Sequence, residues 1–331
     1  MAKSKLPHSQ PAKKRKVVRY RVQNWPQYER ALRQRSNIQL WLDPELFKRW
    51  PRREQPHGRR GAPCYYSPAV IVCMLTLKAL YHLSHRDVEG FVRSLLHAQH
   101  LRRRVPDHTT LSRRGRHVAV DLDVRPSHQP VHVLLDSSGV QIRGVSPWRE
   151  WQHQQWRRAQ AGRQDFRKIH VAFNADTHEF LAVEVTDKYE HDQNLVPALL
   201  DAIAAPIAHV TADGNYDFHF ARNAIAAHGA AALIPPRADA VIDPRQPRPE
   251  RDAAVRWIQT HATGRKGWKK RSGYHRRSLV ETAFSRWKGR LGTRLASREK
   301  LRQITEVRMG CRLLNHFTHL GRPQTVRILP T

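Results

Sequence analysis

Acidic residues are scarce in this chain: 28 Asp and Glu stand against 59 Lys and Arg over 331 residues, leaving a formal charge of +31. A chain so unbalanced repels itself unless it meets a polyanion, so nucleic acid is the expected partner. Long apolar runs are missing too. The longest, Ala69 to Leu80, contains Lys78 and falls short of the roughly 18 residues a membrane helix needs. No N-terminal stretch joins a basic start to an apolar core, so neither a signal peptide nor a membrane partner is expected. Cysteine is sparse: Cys64, Cys73 and Cys311 are far apart, with no Cys-x-x-Cys pair and no histidines at zinc-finger spacing. They read as small buried hydrophobes in a reducing compartment. The 21 histidines are scattered and read as surface or core residues, whereas a 40% hydrophobic content supplies a core and the length allows two or three domains.

Residues 1–24 hold KSK, KKRK and RYR with almost nothing to bury, which predicts a basic arm that is disordered alone and orders on phosphates. PAKKRKV also resembles a nuclear localisation string, but short basic runs are common in DNA-binding arms. Residues 25–125 carry helix signals. Asp43-Pro44 and Ser67-Pro68 each set a capping side chain before a proline. Ser84 with Asp87 opens a helix through about Leu96, and Asp107 or Thr109 caps a last one with Arg113, Arg114 and Arg116 behind it. Short helices ending in a basic member suit an all-α DNA-binding module of helix-turn-helix type, with Arg113 and Arg114 as phosphate contacts. A helical bundle whose exposed faces are basic without that role is the competing reading.

After Pro126 to Pro130 the periodicity changes, marking a third region, 126–331. VHVLLDSSGVQI is a strand-rich run broken by Ser-Ser-Gly, and DFRKIHVAFNADTHEFLAVEVT reads as two strands joined at Asn174 to Thr177. Then come a helix from about Asp192 to Ala204, the strand AHVTAD, a helix from about Phe218 to His228, and the strand AAALIP. A Pro- and Arg-rich stretch, Pro235 to Lys266, reads as a mobile loop, ahead of two final helices, the second from Leu301 to Leu320. This order predicts an α/β fold of the ribonuclease H-like kind, a mixed sheet flanked by helices.

Three acids stand out. Asp136 closes the apolar run VHVLLD, and Asp213 closes AHVTAD before Gly214. A carboxylate at a buried strand end costs several kcal/mol unless compensated, though either alone also reads as a turn-former. Two so placed on adjacent strands invite a hard divalent cation. The third acid belongs to YHRRSLVETAFSRWK. At roughly 100° per residue, Tyr274, Arg277, Glu281 and Lys288 fall within an arc of about 60°, beside an apolar face of Leu279, Val280, Ala283, Phe284, Trp287 and Leu291. A solvated stripe with an Arg277 to Glu281 pair is the plainer account of the helix alone.

These residues resemble the DDE transposases of bacterial insertion sequences, in the large group typified by insertion sequences four and five. That group carries Tyr, Arg, Glu and Lys with two, three and six intervening residues, which Tyr274, Arg277, Glu281 and Lys288 match at every position. LLDSSGVQIRG resembles its first-aspartate strand and TADGNYD its second, with Tyr216 and Asp217 in the following turn. The acid spacings resemble the shorter members, without a large β insertion. The likeness covers nearly the whole chain.

The resemblance implies metal-dependent DNA cleavage at transposon inverted-repeat ends and strand transfer into target DNA. Asp136, Asp213 and Glu281 become both catalytic residues and ligands of two Mg²⁺ ions, with Mn²⁺ as a substitute. Tyr274, Arg277 and Lys288 become DNA-binding residues, joined by Lys168 and His170 as lesser backbone contacts. No covalent protein–DNA intermediate is implied, so Tyr274 is not the nucleophile. His191 and Asp192 read as a helix start with Asp192 capping. Trp148, Trp151 and Trp156 could stack on bases, although packing on the sheet is the favoured reading. A homodimer in the synaptic complex and a cytoplasmic, nucleoid-associated location follow. Two other readings stay open: a ribonuclease H-like nuclease for branched or hybrid nucleic acid, and a non-catalytic DNA-binding protein derived from a transposase.

Overall fold

The computed structural model describes residues 19–41, 46, 66–101, 103–142, 166–245 and 247–328. The arm up to residue 18, the Asp43-Pro44 cap, Cys64 and the connector residues Trp148, Trp151 and Trp156 lie outside the described residues. Strand β1 (Arg19–Val22) precedes helices α1 (Trp25–Gln34), α2 (Ile38–Trp41), α3 (Pro68–Leu80), α4 (His85–Ala98) and α5 (His108–Arg114). The predicted caps operate. Ser67 Oγ accepts from the Val70 amide, Ser84 and Asp87 form a reciprocal capping box, and Asp107 accepts from the amides of Thr109 and Thr110, both at 2.8 Å.

Strands β2 (Val131–Ile142), β3 (Phe166–Asn174) and β4 (Phe180–Asp187) form an antiparallel meander. Helix α6 (Val196–Asp201) leads to β5 (Ile207–Thr211), and α7 (His219–Ala227) to β6 (Ala231–Leu233). The order is β4-β3-β2-β5-β6, with β5 parallel to β2 and β6 parallel to β5. After α8 (Pro249–Thr260) and α9 (Gly264–Arg271) come α10 (Ser278–Leu291), β7 (Arg294–Leu295), α11 (Lys300–Leu320) and β8 (Thr325–Ile328). A mixed sheet flanked by helices is thus present, compatible with a ribonuclease H-like layer fold.

Strand periodicity divides two cores across the sheet. Leu134, Val140, Ile169 and Val171 face α10, α11 and the helices before β2, in one cluster with Met74, Val280, Trp287 and Val307. Val133 and Leu135 face the other way, with Leu199, Leu200, Val210 and Ile225. Helix α10 reaches its seat because α11 offers Gly310: a Cβ there would meet the Leu291 side chain and lie 2.6 Å from Trp287 Nε1.

Three expectations are corrected. Residues 19–22 of the expected disordered arm form β1, which pairs with β8 from Arg19 opposite Ile328 to Val22 opposite Thr325. Its partner lies at the far end of the sequence, so no local signal announces it. Ser-Ser-Gly does not break β2, because β3 pairs with it continuously from Val133 to Gln141 while β5 and then β7 line its other edge. The stretch Pro235 to Lys266 contains α8 and the start of α9. Buried Asp217 ties it down, accepting from Arg222 Nε at 2.8 Å, Arg251 Nε at 3.2 Å and the Arg237 amide at 2.9 Å. Among the cysteines, Cys311 is buried and Cys73 half-buried.

Gly310→Ala is expected to cost about 1–3 kcal/mol through overpacking, despite the gain in helix propensity of about 1 kcal/mol; urea unfolding measures it, and unchanged stability would mean α10 and α11 part freely. His85, His132, His170 and His178 are each held down to about 4, burial being the first cause in every case. Their folded values lie below the usual 6.5, so the unfolded chain takes up protons first and stability is lost as pH falls from 6.5 towards 4. The melting temperature at pH 5 is therefore expected below that at pH 7, with a shallower fall for His170→Gln.

Candidate active site

Asp136 does not end its strand; it sits inside β2, and its parity decides what it meets. Even-numbered residues there face α10, and odd-numbered residues face the opposite layer. Arg277 Nη1 donates to Asp136 Oδ2 at 2.9 Å, and Lys288 Nζ donates to Ser138 Oγ at 2.7 Å, so α10 and the turn before it reach two successive positions on one face. The parallel register places Leu134 beside Thr211. β5 ends at Thr211, and Asp213 follows two residues beyond it, near enough for its charge to act on the Asp136 carboxyl. Asp213 caps a 3₁₀ turn, Gly214–Tyr216, accepting from the Asn215 amide at 2.9 Å.

Arg277 joins the third acid to this pair. Its Nη2 donates to Glu281 Oε1 at 2.7 Å, so one guanidinium bridges Asp136 and Glu281. The Asp136 and Arg277 side chains are 16% and 19% exposed, against 56% for Glu281, which places the ion pair at the base of the site and Glu281 at its mouth. Burial pushes the Asp136 carboxyl up; Arg277 and the Ser137 amide pull it down, while Asp213 and Glu281 push it up again, and the net direction is upward. Burial works against the Arg277 charge, but Asp136, Tyr274 and Glu281 outweigh it.

Tyr274 corrects the expected stripe. Residues Tyr274–Arg277 form a 3₁₀ turn, and the α-helix begins only at Ser278. Gly273, at φ +71°, turns the chain out of α9, a conformation glycine adopts without strain. Tyr274 is thereby buried, its ring 6.3 Å from that of Trp268 and its hydroxyl beside Arg277. It positions Arg277 and does not share a solvent-facing stripe with Glu281.

The opposite face of β2 carries a polar group that the sequence reading missed. Ser137 lies opposite His170, and Ser137 Oγ donates to Asp192 Oδ2 at 3.0 Å. Asp192 also takes an ion pair from Lys168, whose Nζ donates to the Glu190 carbonyl at 2.8 Å. Asp192 is therefore not a cap: it opens a 3₁₀ turn, Asp192–Leu195, after His191, and its carboxylate points back at the sheet. His170 is fully buried against Thr186 Oγ1 at 2.8 Å, out of reach of any DNA backbone. The buried Tyr216 hydroxyl has no hydrogen-bond partner; burial first, then Asp192, Asp136 and Asp213, raise its pKa well above the ordinary value. It is an unused donor at the level of the aspartates. Only a serine and an acid spaced far apart in the chain encode this group, which leaves no local signal.

Clefts open on both sides. Asp136, Ser138, Glu281, Lys288 and Thr293 line one of about 610 Å³. Lys168, Asp192, Asn215, Arg237 and Arg265 line another of about 890 Å³. Arg113 and Arg114 stay on α5, where Arg113 is exposed and Arg114 Nη1 donates to the Tyr66 carbonyl at 3.1 Å. The carboxylates fit a hard divalent cation in donor chemistry, and a buried acid pushed up by burial and like charge is one that a cation relieves. They are not closed around a single point. Among the described residues, the trio with ligand atoms within 4.8 Å of one another is Asp123, His316 and His319; between Asp136 and Glu281 stands Arg277.

A family model described as transposase DDE domain matches residues 127–315, and a second of the same description matches residues 33–145. The first spans both aspartates and Glu281.

A double-mutant cycle on Arg277→Ala and Asp136→Asn is expected to give a coupling energy of about 0.5–3 kcal/mol in unfolding experiments. Arg277→Ala alone is destabilising, since Asp136 is left facing like charges. Zero coupling would mean that the Asp136 charge is balanced elsewhere.

Proposed function

The chain belongs to the transposase DDE domain family, and from that premise we propose that it cuts DNA at the inverted-repeat ends of a mobile element and joins the freed ends to target DNA. Families of this kind are polynucleotidyl transferases of DNA transposition, and DNA is their partner. The observation that supports the finer reading is the gathering of acids around Asp136, whose carboxyl feels the charges of Asp213 and Glu281, together with the Arg277 bridge to Glu281. The Tyr, Arg, Glu, Lys spacing supports membership of the group typified by insertion sequences four and five.

Asp136 would be the shared ligand of two divalent cations, with Asp213 completing one site and Glu281 the other. Bound Mg²⁺, or Mn²⁺ in its place, supplies Lewis-acid activation of a water or 3′-hydroxyl and neutralises charge on the leaving oxygen. The chain's own groups position the DNA. Arg277 presents a planar fork suited to a phosphate once its carboxylate partners are engaged elsewhere. Lys288 is fixed through Ser138 Oγ within the cleft that also contains Asp136 and Glu281. Lys168, Arg237 and Arg265 line the second cleft and would carry the DNA backbone past Asp192. Tyr274 holds Arg277 in place from beneath. No group here needs to form a covalent link to DNA, since positioning and charge carry this chemistry.

Residues 25–125, with Arg113 exposed on α5, would engage the terminal repeats, and residues 126–331 would form the ribonuclease H-like catalytic unit. The arm up to residue 18 would track phosphates, two copies would pair two ends in a synaptic complex, and the protein would sit on the bacterial nucleoid. Among the described residues no helix is long and apolar enough to cross a membrane.

The test uses a duplex carrying the inverted repeats that bracket the coding region, with Mg²⁺. Glu281→Gln is expected to lower cleavage by at least about a hundredfold, nearly 3 kcal/mol, while gel-shift affinity stays within a few-fold. Wild-type cleavage rates in that variant would overturn the assignment.

A further inference from the structure

Two of the histidines that read as scattered in sequence, His316 and His319, meet at one place with Asp123. His316 and His319 lie three residues apart on α11, so both rings emerge on one face. Asp123, in the connector that leads into β2, turns its carboxylate towards them from a left-handed backbone at φ +57°. His316 Nε2 stands 3.1 Å from Asp123 Oδ2, and His319 Nδ1 stands 3.8 Å from the same oxygen. Behind them sits Glu179, 2% exposed, whose Oε1 is 2.6 Å from His319 Nε2 and accepts from the Arg125 amide at 3.0 Å.

We infer that Asp123, His316 and His319 form a binding site for a transition-metal cation of the zinc class, with Glu179 orienting His319 from behind. Four observations lead there. First, the buried Glu179 carboxylate already takes the Arg125 amide at 3.0 Å and sets its Oε1 2.6 Å from His319 Nε2. It therefore accepts from Nε2–H of His319, the tautomer that turns the Nδ1 lone pair outwards as the ligating position. Second, that lone pair faces Asp123 Oδ2, so two acceptors confront each other at a separation too long for a direct hydrogen bond. A cation between them resolves the conflict. Third, ligands at about 2.0–2.1 Å from a tetrahedral zinc stand roughly 3.4 Å apart, and the two separations here, 3.1 and 3.8 Å, bracket that value. Fourth, a carboxylate behind a ligating histidine is the arrangement that fixes tautomer and ring orientation in zinc sites.

Two imidazoles and one carboxylate suit zinc or cobalt over magnesium, which separates this site from the carboxylate cluster of the active site. Its position gives it a structural task. A cation there cross-links the connector before β2 to α11, while Glu179 ties in the β3–β4 hairpin and the Trp41 ring packs edge-on against His316 at 5.4 Å. The helices before β2 are thereby pinned to the catalytic sheet.

The test is made on the full chain, stripped with a chelator and titrated with Co²⁺ and then Zn²⁺. The expected result is an intense visible band of tetrahedral Co²⁺ that saturates at one cation per chain, apart from any weakly absorbing Co²⁺ at the carboxylates, is displaced by Zn²⁺, and is matched by a melting temperature that rises with Zn²⁺. Asp123→Asn and His319→Gln, checked for native circular dichroism, are expected to lose the band and the thermal response. Glu179→Gln is expected to weaken Zn²⁺ about 10–100-fold. His228→Gln, which removes a separate histidine–carboxylate pair with Asp201, should leave both readouts intact. A band of equal intensity in the Asp123 and His319 variants, or none in the wild type, overturns the site.

Discussion

Everything at the candidate active site depends on the two-residue period of strand β2. Flanked by β3 on one edge and by β5 and β7 on the other, that strand cannot slip by one residue without turning Leu134 and Val140 out of one core and Val133 and Leu135 out of the other. The hydrophobic requirement on both faces therefore fixes which way Asp136 points. Polar chemistry is aimed here by apolar packing, and the parallel alignment with β5 ends at Thr211, just before the turn that Asp213 caps.

Electrostatics then divides the two faces. Towards α10, Arg277 is shared by a half-buried and an exposed carboxylate, so positive charge is already concentrated where acids gather. On the far face, Asp192 is satisfied by Lys168 and Ser137, leaving the Tyr216 hydroxyl without an acceptor. Half-buried pairs of this kind owe their value to geometry, since desolvation offsets much of the Coulomb attraction. The surrounding charge of +31 favours any arrangement that brings phosphate close.

Much of this was legible in the chain because the relevant signals are local. Ser67, Ser84 and Asp107 cap the helices they announce, and the meander, the β5 and β6 strands and the final helix lie where their periodicities place them. The spacing of Arg277 and Glu281 correctly pairs them on one turn. What escaped was long-range. Asp217 anchors a stretch whose proline and arginine content reads as loop, and Asp192 reaches across from another segment to Ser137. Tyr274 left the stripe because the four-residue 3₁₀ turn Tyr274–Arg277 rotates it away from the α-helical register. Asp123 and His316 share no local signal whatever.

The pairing of β1 with β8 has a consequence in time. Among the described elements β1 is made first, and its partner β8 is made last. Until Thr325–Ile328 emerge, Arg19–Val22 have no ladder to join while the sheet assembles between them. A contact between segments so far apart carries a loop-closure cost and forms late. The emergence of β8 thus sets the moment at which Arg19–Val22 acquire a fixed place on the folded surface.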